Sequence, residues 1–80
     1  MTITEFVAAL NEKFGGGFEA RKSGAKYTRI VKRESVVCFI DTAGNIYKAA
    51  SWKAPAKGVR STLTTVVMNN VDQFGGWLYR

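Results

Sequence analysis

Residues 26–50, KYTRIVKRESVVCFIDTAGNIYKAA, contain three short runs of β-branched and aromatic residues, and these runs decide the fold. Runs of this kind, bounded by polar or glycine residues, are typical of β-strands. We expect strands at 26–33, 36–40 and 45–50. The middle run, VVCFI, carries no charge, which predicts that it is the central strand of its sheet.

Two short connections join the three runs. Glu34-Ser35 has the length of a tight hairpin turn, and residues 41–45 form a five-residue turn in which Gly44 supplies a positive φ. Sequential strands with connections this short predict an antiparallel meander. Cys38, in the middle of the central run, is expected to be a small buried hydrophobic residue and not a reactive thiol.

The N-terminal segment has the pattern of an amphipathic helix. Thr2 and Glu5 have the spacing of a capping box, and apolar residues recur along one helical face. Three glycines at 15–17 end the helix, because glycine readily adopts the left-handed C-cap conformation. The predicted core combines this helix with the strands: Phe6, Leu10, Ile30, Phe39 and either Val36 or Val37.

Residues 51–60, SWKAPAKGVR, leave two interpretations open. Pro55 favours the first turn of a helix, which would run on to residue 68. Gly58 and the β-branched residues beyond it favour a short helix at 55–60 followed by a strand at 62–68. A turn and a short terminal strand are predicted at 74–80.

The predicted fold is therefore one α+β domain spanning residues 1–80. It has an N-terminal helix, a three-stranded antiparallel meander, a short helix after Pro55 and a terminal strand. Eighty residues, 46% hydrophobic and 22% charged, fit one small globular domain.

Composition also excludes several functional classes. No apolar run approaches the roughly 18 residues of a membrane span, and the N-terminus lacks the pattern of a signal peptide, so we expect a cytoplasmic protein. With one cysteine and no histidine, the chain cannot build an internal disulfide, a zinc site or a Cys/His catalytic pair. Its few acids are dispersed. We expect no enzymatic activity, no metal and no cofactor.

The net charge of +6 is concentrated in the middle of the chain. Residues 20–60 hold ten Lys and Arg against two acids, a net of +8. A solvated, soluble surface and a functional anion site are both consistent with this excess. Lys53, Lys57 and Arg60 are predicted to cluster at a helix N-terminus, where cations oppose the helix dipole unless a phosphate or carboxylate binds there.

Aromatic residues are interleaved with these cations. Strand alternation predicts that Tyr27, Arg29 and Arg33 share the outer face of the first strand. This pattern is suited to phosphate contacts combined with base stacking. It is equally typical of an ordinary solvated edge strand. Trp52 is expected either to stack on a ligand or to cover the edge of the core. The candidate anion-binding residues are Lys53, Lys57, Arg60, Arg29, Arg33, Lys48, Trp52 and Tyr27.

The second half of the chain resembles a group of small uncharacterised proteins from tailed bacteriophages. The resemblance lies in a D-x-x-G turn, a Y-K-x-x-x-W-K-x-P-A-K signature and a nearby arginine, at Asp41, Gly44, Tyr47, Lys48, Trp52, Lys53, Pro55, Ala56, Lys57 and Arg60. In that group a glycine commonly follows the arginine, whereas this chain has Ser61. The resemblance implies a phage origin and a host-cytoplasmic setting, and it implies no established activity.

The predicted order of helix, three strands and helix is also similar to double-stranded RNA-binding domains. In that family, lysines at the start of the second helix contact phosphates, and Lys53 and Lys57 have the corresponding place. The family's Gly-Pro-x-His loop between its first two strands is replaced by Arg33-Glu34-Ser35.

Nucleic-acid binding, to DNA or RNA, is the leading functional prediction. The alternative is a non-enzymatic phage inhibitor that docks on an acidic surface of a host enzyme or defence complex, with Trp52 and Trp77 as anchors. A third hypothesis is a homo-oligomer that pairs through an edge strand.

Overall fold

The computed structural model describes residues 1–66 and 68–71. Within them, five strands form one antiparallel sheet in the order of the chain. The elements are α1 (Ile3–Phe14), β1 (Phe18–Ser23), β2 (Tyr27–Lys32), β3 (Ser35–Asp41), β4 (Asn45–Tyr47), β5 (Ser61–Thr62) and a 3-10 helix at Met68–Asn70. The α+β prediction, with an N-terminal helix and an antiparallel meander, is confirmed. The predicted terminal strand at 74–80, with Trp77, lies outside the described residues.

Helix α1 has the predicted ends. The Thr2 hydroxyl accepts a hydrogen bond from the Glu5 backbone N–H at 3.1 Å, and the Glu5 carboxylate accepts one from the Thr2 N–H at 2.8 Å. Gly15 provides the C-cap with φ of 84°. Both ends are thus determined by residues within one turn of them, which is why the sequence alone identifies this helix.

The main core lies between α1 and one face of the sheet. Phe6 and Leu10 of the helix face inward, as predicted, and the sheet contributes apolar side chains from four strands. The buried cluster consists of Phe6, Leu10, Phe18, Ile30, Val37, Cys38, Ile40, Ile46, Leu63 and Val71.

The opposite face of the sheet is also covered. Val31 and Phe39 are fully buried, yet strand alternation directs them away from α1. Phe39 lies directly opposite Arg29 of β2 and Tyr47 of β4. The prediction that β3 is the central strand is confirmed, because its side chains are buried on both faces.

Strand β1 was not expected from the sequence. Of its six residues, FEARKS, only Phe18 is buried, so the apolar alternation that identifies a strand is missing. It exists because it pairs with β2 over six residue pairs, from Phe18 opposite Lys32 to Ser23 opposite Tyr27. As a result, β2 is an internal strand and not an edge.

Two strand boundaries in the structure differ from those predicted from the sequence. Lys32 pairs with Ser35, so the hairpin turn is Arg33-Glu34 and not Glu34-Ser35. Arg33 adopts a φ of 58°, which the two-residue turn between twisted strands requires, and it therefore leaves the outer face of the strand. The third strand ends at Tyr47 and does not extend to residue 50.

We expect alanine substitutions on the two sides of the sheet to destabilise the protein to a similar degree. Leu10→Ala and Phe39→Ala should each lower the free energy of unfolding by roughly 2–5 kcal/mol, because each removes a fully buried side chain and leaves a cavity. Urea denaturation followed by circular dichroism measures this. Val59→Ala, at an exposed site, is the control and should change stability little. An unchanged midpoint for Phe39→Ala would contradict a second buried layer.

Cys38 should be chemically protected in the native state. It is fully buried and unpaired, and burial raises the pKa of its thiol to about 12. Because the thiolate is the reactive form, Ellman's reagent should modify the native protein only as fast as it unfolds and should titrate the thiol promptly in denaturant. Rapid labelling of the native protein would contradict this placement.

Candidate nucleic-acid interface

Residues 48–60, which we call the basic arm, leave the sheet after β4 and return to it at β5. The arm folds back on itself as an irregular hairpin. Ala56 N–H donates to the Lys48 carbonyl at 2.8 Å, and Ala50 N–H donates to the Ala54 carbonyl at 3.0 Å. At the base, Arg60 N–H donates to the Ile46 carbonyl at 2.8 Å. Both ends of the arm are therefore fixed beside each other on the sheet.

The helix predicted after Pro55 is wrong. Pro55 instead lies opposite Ala49 in an antiparallel bridge. The hydrogen bonds of this bridge come from the flanking residues, so the missing N–H of proline leaves no partner unsatisfied. Gly58 has a φ of 93°, which a right-handed helix does not accept. The continuous alternative, a helix from residue 54 or 55 to 68, fails for the same reasons, and β5 replaces the strand predicted at 62–68.

The tip of the arm contacts the outer face of the sheet through Trp52 and Arg29. The Arg29 guanidinium carbon lies 4.9 Å from the centre of the indole ring, and Nη1 donates to the Trp52 carbonyl at 3.0 Å. The Nε of Arg29 is buried, and no acceptor bonds to it within the part of the chain that the structure describes. Trp52 keeps 38% of its surface exposed.

Three aromatic rings continue this face toward β4. Tyr27 packs edge-on against Phe39, with ring centres 6.2 Å apart, and against Tyr47 at 5.7 Å. Lys26 lies over the Tyr27 ring at 5.4 Å. The predicted juxtaposition of Tyr27 and Arg29 on the outer face of β2 is thus seen, since Ile30 next to Arg29 faces the core.

Asp41 organises the connection between β3 and β4. Its Oδ1 accepts from the backbone N–H groups of Ala43 and Asn45, both at 2.9 Å, and its Oδ2 accepts from the Asn45 amide at 3.0 Å and the Tyr47 hydroxyl at 2.8 Å. Partial burial raises the pKa of Asp41, but these four donors outweigh it and hold the pKa below its ordinary value. The bond to Asp41 raises the pKa of Tyr47. This carboxylate is therefore structural.

The basic arm presents its cations outward. The side chains of Lys53, Lys57 and Arg60 are all exposed. They do not gather at a helix start as predicted, because that helix is absent. Instead, Lys53 follows Trp52 at the tip, Lys57 lies on the returning limb, and Arg60 lies at the base opposite Ile46. The structure spreads them along the arm.

The remaining predicted residues have different positions. Lys48 begins the arm and is half-buried, with its carbonyl bonded to Ala56. Arg33 lies in the β2–β3 turn. Arg21, which the sequence did not single out, lies opposite Arg29 on the same face and forms an ion pair with Glu19. Only the unrecognised strand β1 makes Arg21 part of this surface.

The acidic and thiol side chains of the described residues are dispersed or engaged in the fold. No three His, Cys, Asp or Glu side chains in residues 1–66 and 68–71 come together as metal ligands. Asp41 uses its oxygens within its own turn, and Cys38 is fully buried. No helix in this part of the chain has the length and apolar character to cross a membrane. The arrangement offers cations, aromatic rings and backbone groups to a ligand.

The antiparallel sheet, helix α1 and the basic arm define an α+β domain. The chain belongs to DUF7717, a family of unknown function whose model matches residues 7–80. No curated protein and no solved structure matches the chain.

The Asp41 network should make stability depend on acid pH. Because the folded-state pKa of Asp41 lies below its ordinary value, its stabilising effect is complete above a pH of about 4 and is lost as pH falls through the folded-state pKa. Tyr47→Phe removes one donor to the carboxylate and should weaken this acid dependence. Thermal melts between pH 2 and pH 7 measure it, with Asp41→Asn as reference. An identical acid limb in Asp41→Asn would contradict the assignment.

Proposed function

We propose that this protein binds nucleic acid with the basic arm and the adjoining outer face of β2. Lys53, Lys57 and Arg60 contact phosphates along the arm, and Trp52 offers an aromatic surface to a base. Backbone contacts of this kind are independent of sequence and give affinity that falls with salt. Aromatic stacking adds a preference for single strands, whose bases are accessible.

The contact between Arg29 and Trp52 is the observation that carries this proposal. It holds a partly exposed indole ring at the tip of the arm, next in the chain to the exposed Lys53. A ring fixed in this way loses little further freedom when a base stacks on it. Arg29 also retains unused donor capacity, because its buried Nε has no partner among the described residues. A small displacement of the arm would open this guanidinium edge to a phosphate oxygen.

The local balance of charge supports the same proposal. Between Asp41 and Asp72 the chain contains no acidic residue, whereas the basic arm contributes Lys48, Lys53, Lys57 and Arg60. Of the nearby acids, Glu19 forms its ion pair with Arg21 on β1. Asp41 directs its carboxylate into four internal hydrogen bonds. The field of the arm is therefore positive, and it favours an anionic partner.

A second candidate function is binding to an acidic protein surface. Val59 is 49% exposed and shares the basic arm with the exposed Trp52, and an apolar anchor surrounded by cations is typical of protein interfaces. The phage origin and host-cytoplasmic setting rest on the resemblance described above and belong to this proposal. In that setting the acidic surface would be part of a host enzyme or defence complex.

The test compares two double variants that lose the same charge. Lys53→Ala/Lys57→Ala removes two exposed lysines from the arm, and Lys22→Ala/Lys26→Ala removes two exposed lysines from β1 and its turn. Binding to a fluorescent 5′-hydroxyl oligonucleotide is measured by anisotropy at several salt concentrations, single-stranded and duplex. We expect the arm variant to lose most affinity, and its salt slope to flatten by about 0.7–0.9 for each phosphate that it no longer neutralises.

Two results would overturn the proposal. Equal losses in both variants would mean that the charge acts diffusely and that the arm is not a site. Absence of binding by the wild-type protein even at low salt would exclude nucleic acid and leave the acidic protein surface as the function of the arm. Circular dichroism of both variants verifies that the losses do not come from unfolding.

A further inference from the structure

A cavity lies outside the basic arm, with none of residues 48–60 in its lining. It is a cavity of about 370 Å³ between the start of α1, the β1–β2 turn, the β3–β4 turn and the chain after β5. This volume falls within the roughly 300–1,000 Å³ typical of small-molecule sites. The nucleic-acid proposal makes no use of this cavity.

Along the helix-facing side of the sheet, apolar residues are followed by polar ones at the cavity. Along this side, Ile30 and Ile40 belong to the buried core. Thr28 lies opposite both Ile40 and Lys22, so alternation places all three on the same side. Positions that face the interior of a layered fold are normally apolar. At the cavity, Thr28 is half-buried and Lys22 is exposed, so polar side chains line the space where the apolar core ends.

The polar lining favours an anion. Two lysines, Lys22 and Lys26, and three threonines, Thr28, Thr42 and Thr64, line the cavity. The one acid in the lining is Asp41, whose two oxygens already accept four hydrogen bonds from its own turn. A ligand oxygen in the cavity is therefore close to several hydrogen-bond donors. The nearby Asp41 carboxylate repels it less, because the carboxylate oxygens are already hydrogen-bonded.

The remaining lining is apolar and suits the organic part of such a ligand. Ile3 and Leu63 form part of the wall. Gly44 lies beside the Leu63 side chain in this wall, and its φ of 87° favours glycine at the position. A group with several acceptor oxygens on a small apolar or aromatic body fits both parts of the cavity.

We propose that this cavity binds a phosphate monoester, with the phosphate near Lys22 and Lys26 and the organic group against Ile3 and Leu63. A phosphate monoester carries nearly two negative charges at neutral pH and three strong acceptor oxygens, which match the two lysines and three threonines of the lining. Such a group can come from a free mononucleotide or from the 5′ end of a strand.

The experiment uses the full chain labelled with ¹⁵N and AMP as the probe, with adenosine as the uncharged control. Titration to millimolar AMP should shift the amide signals around Thr28, Thr42 and Gly44, and adenosine should not. Lys22→Ala/Lys26→Ala should bind AMP at least about tenfold more weakly, because each charge-assisted contact contributes about that factor. Lys53→Ala/Lys57→Ala should bind AMP as the wild type does, which separates this site from the basic arm.

Matched oligonucleotides with and without a 5′ phosphate distinguish the two sources of the ligand. Tighter binding of the phosphorylated strand, abolished in Lys22→Ala/Lys26→Ala, assigns the site to strand ends. AMP binding without that difference assigns it to free mononucleotides. The proposal is overturned if adenosine produces the same shifts, if the Lys22→Ala/Lys26→Ala variant binds AMP normally, or if no signal moves with either AMP or the phosphorylated strand.

Discussion

The burial of β3 on both faces is the constraint on which the rest of the structure depends. A strand whose side chains are apolar in both directions requires a cover on each side of the sheet, and a short chain has little material for two covers. Helix α1 covers one face with Phe6 and Leu10. On the other face, the basic arm brings Trp52 onto Arg29, the direct neighbour of Phe39. The chain thus uses one long helix and one irregular segment for the same purpose.

The same residues therefore contribute to the stability of the fold and to the candidate interface. Trp52 helps to close the outer face, and the same ring is the partly exposed group proposed to meet a base. Arg29 is held between the sheet and the arm, with a buried Nε that has no acceptor in the described structure. An unsatisfied buried donor is energetically unfavourable, so the closed arrangement of the arm is opposed by a local cost. Contact with a ligand oxygen would relieve that cost.

Local signals in the sequence predicted the elements that depend on local interactions. The capping box of Thr2 and Glu5, the glycine after Phe14 and the uncharged run of β3 each act over a few residues, and each predicted its element correctly. Strand β1 has no such signal, because its pairing with β2 and not its own burial pattern creates it. Pro55 was misleading for a related reason: a proline fits the start of a helix and also a bridge position without hydrogen bonds. Arg29 and Trp52 were each selected from the sequence, but 23 residues separate them and their contact was not visible there.

The anchoring of the arm has a consequence for how this domain can diversify. Its two ends meet beside Ile46, where the Arg60 amide and the pairing of Ser61 fix the returning chain. The distance between the two ends of the basic arm is therefore fixed by the sheet, whatever the number of residues in the arm. Doubling the length of such a loop adds only about 0.6 kcal/mol of closure entropy. Insertions near Lys57 and Gly58, beyond the contact of Trp52, would therefore change the reach of the arm at small cost to the sheet.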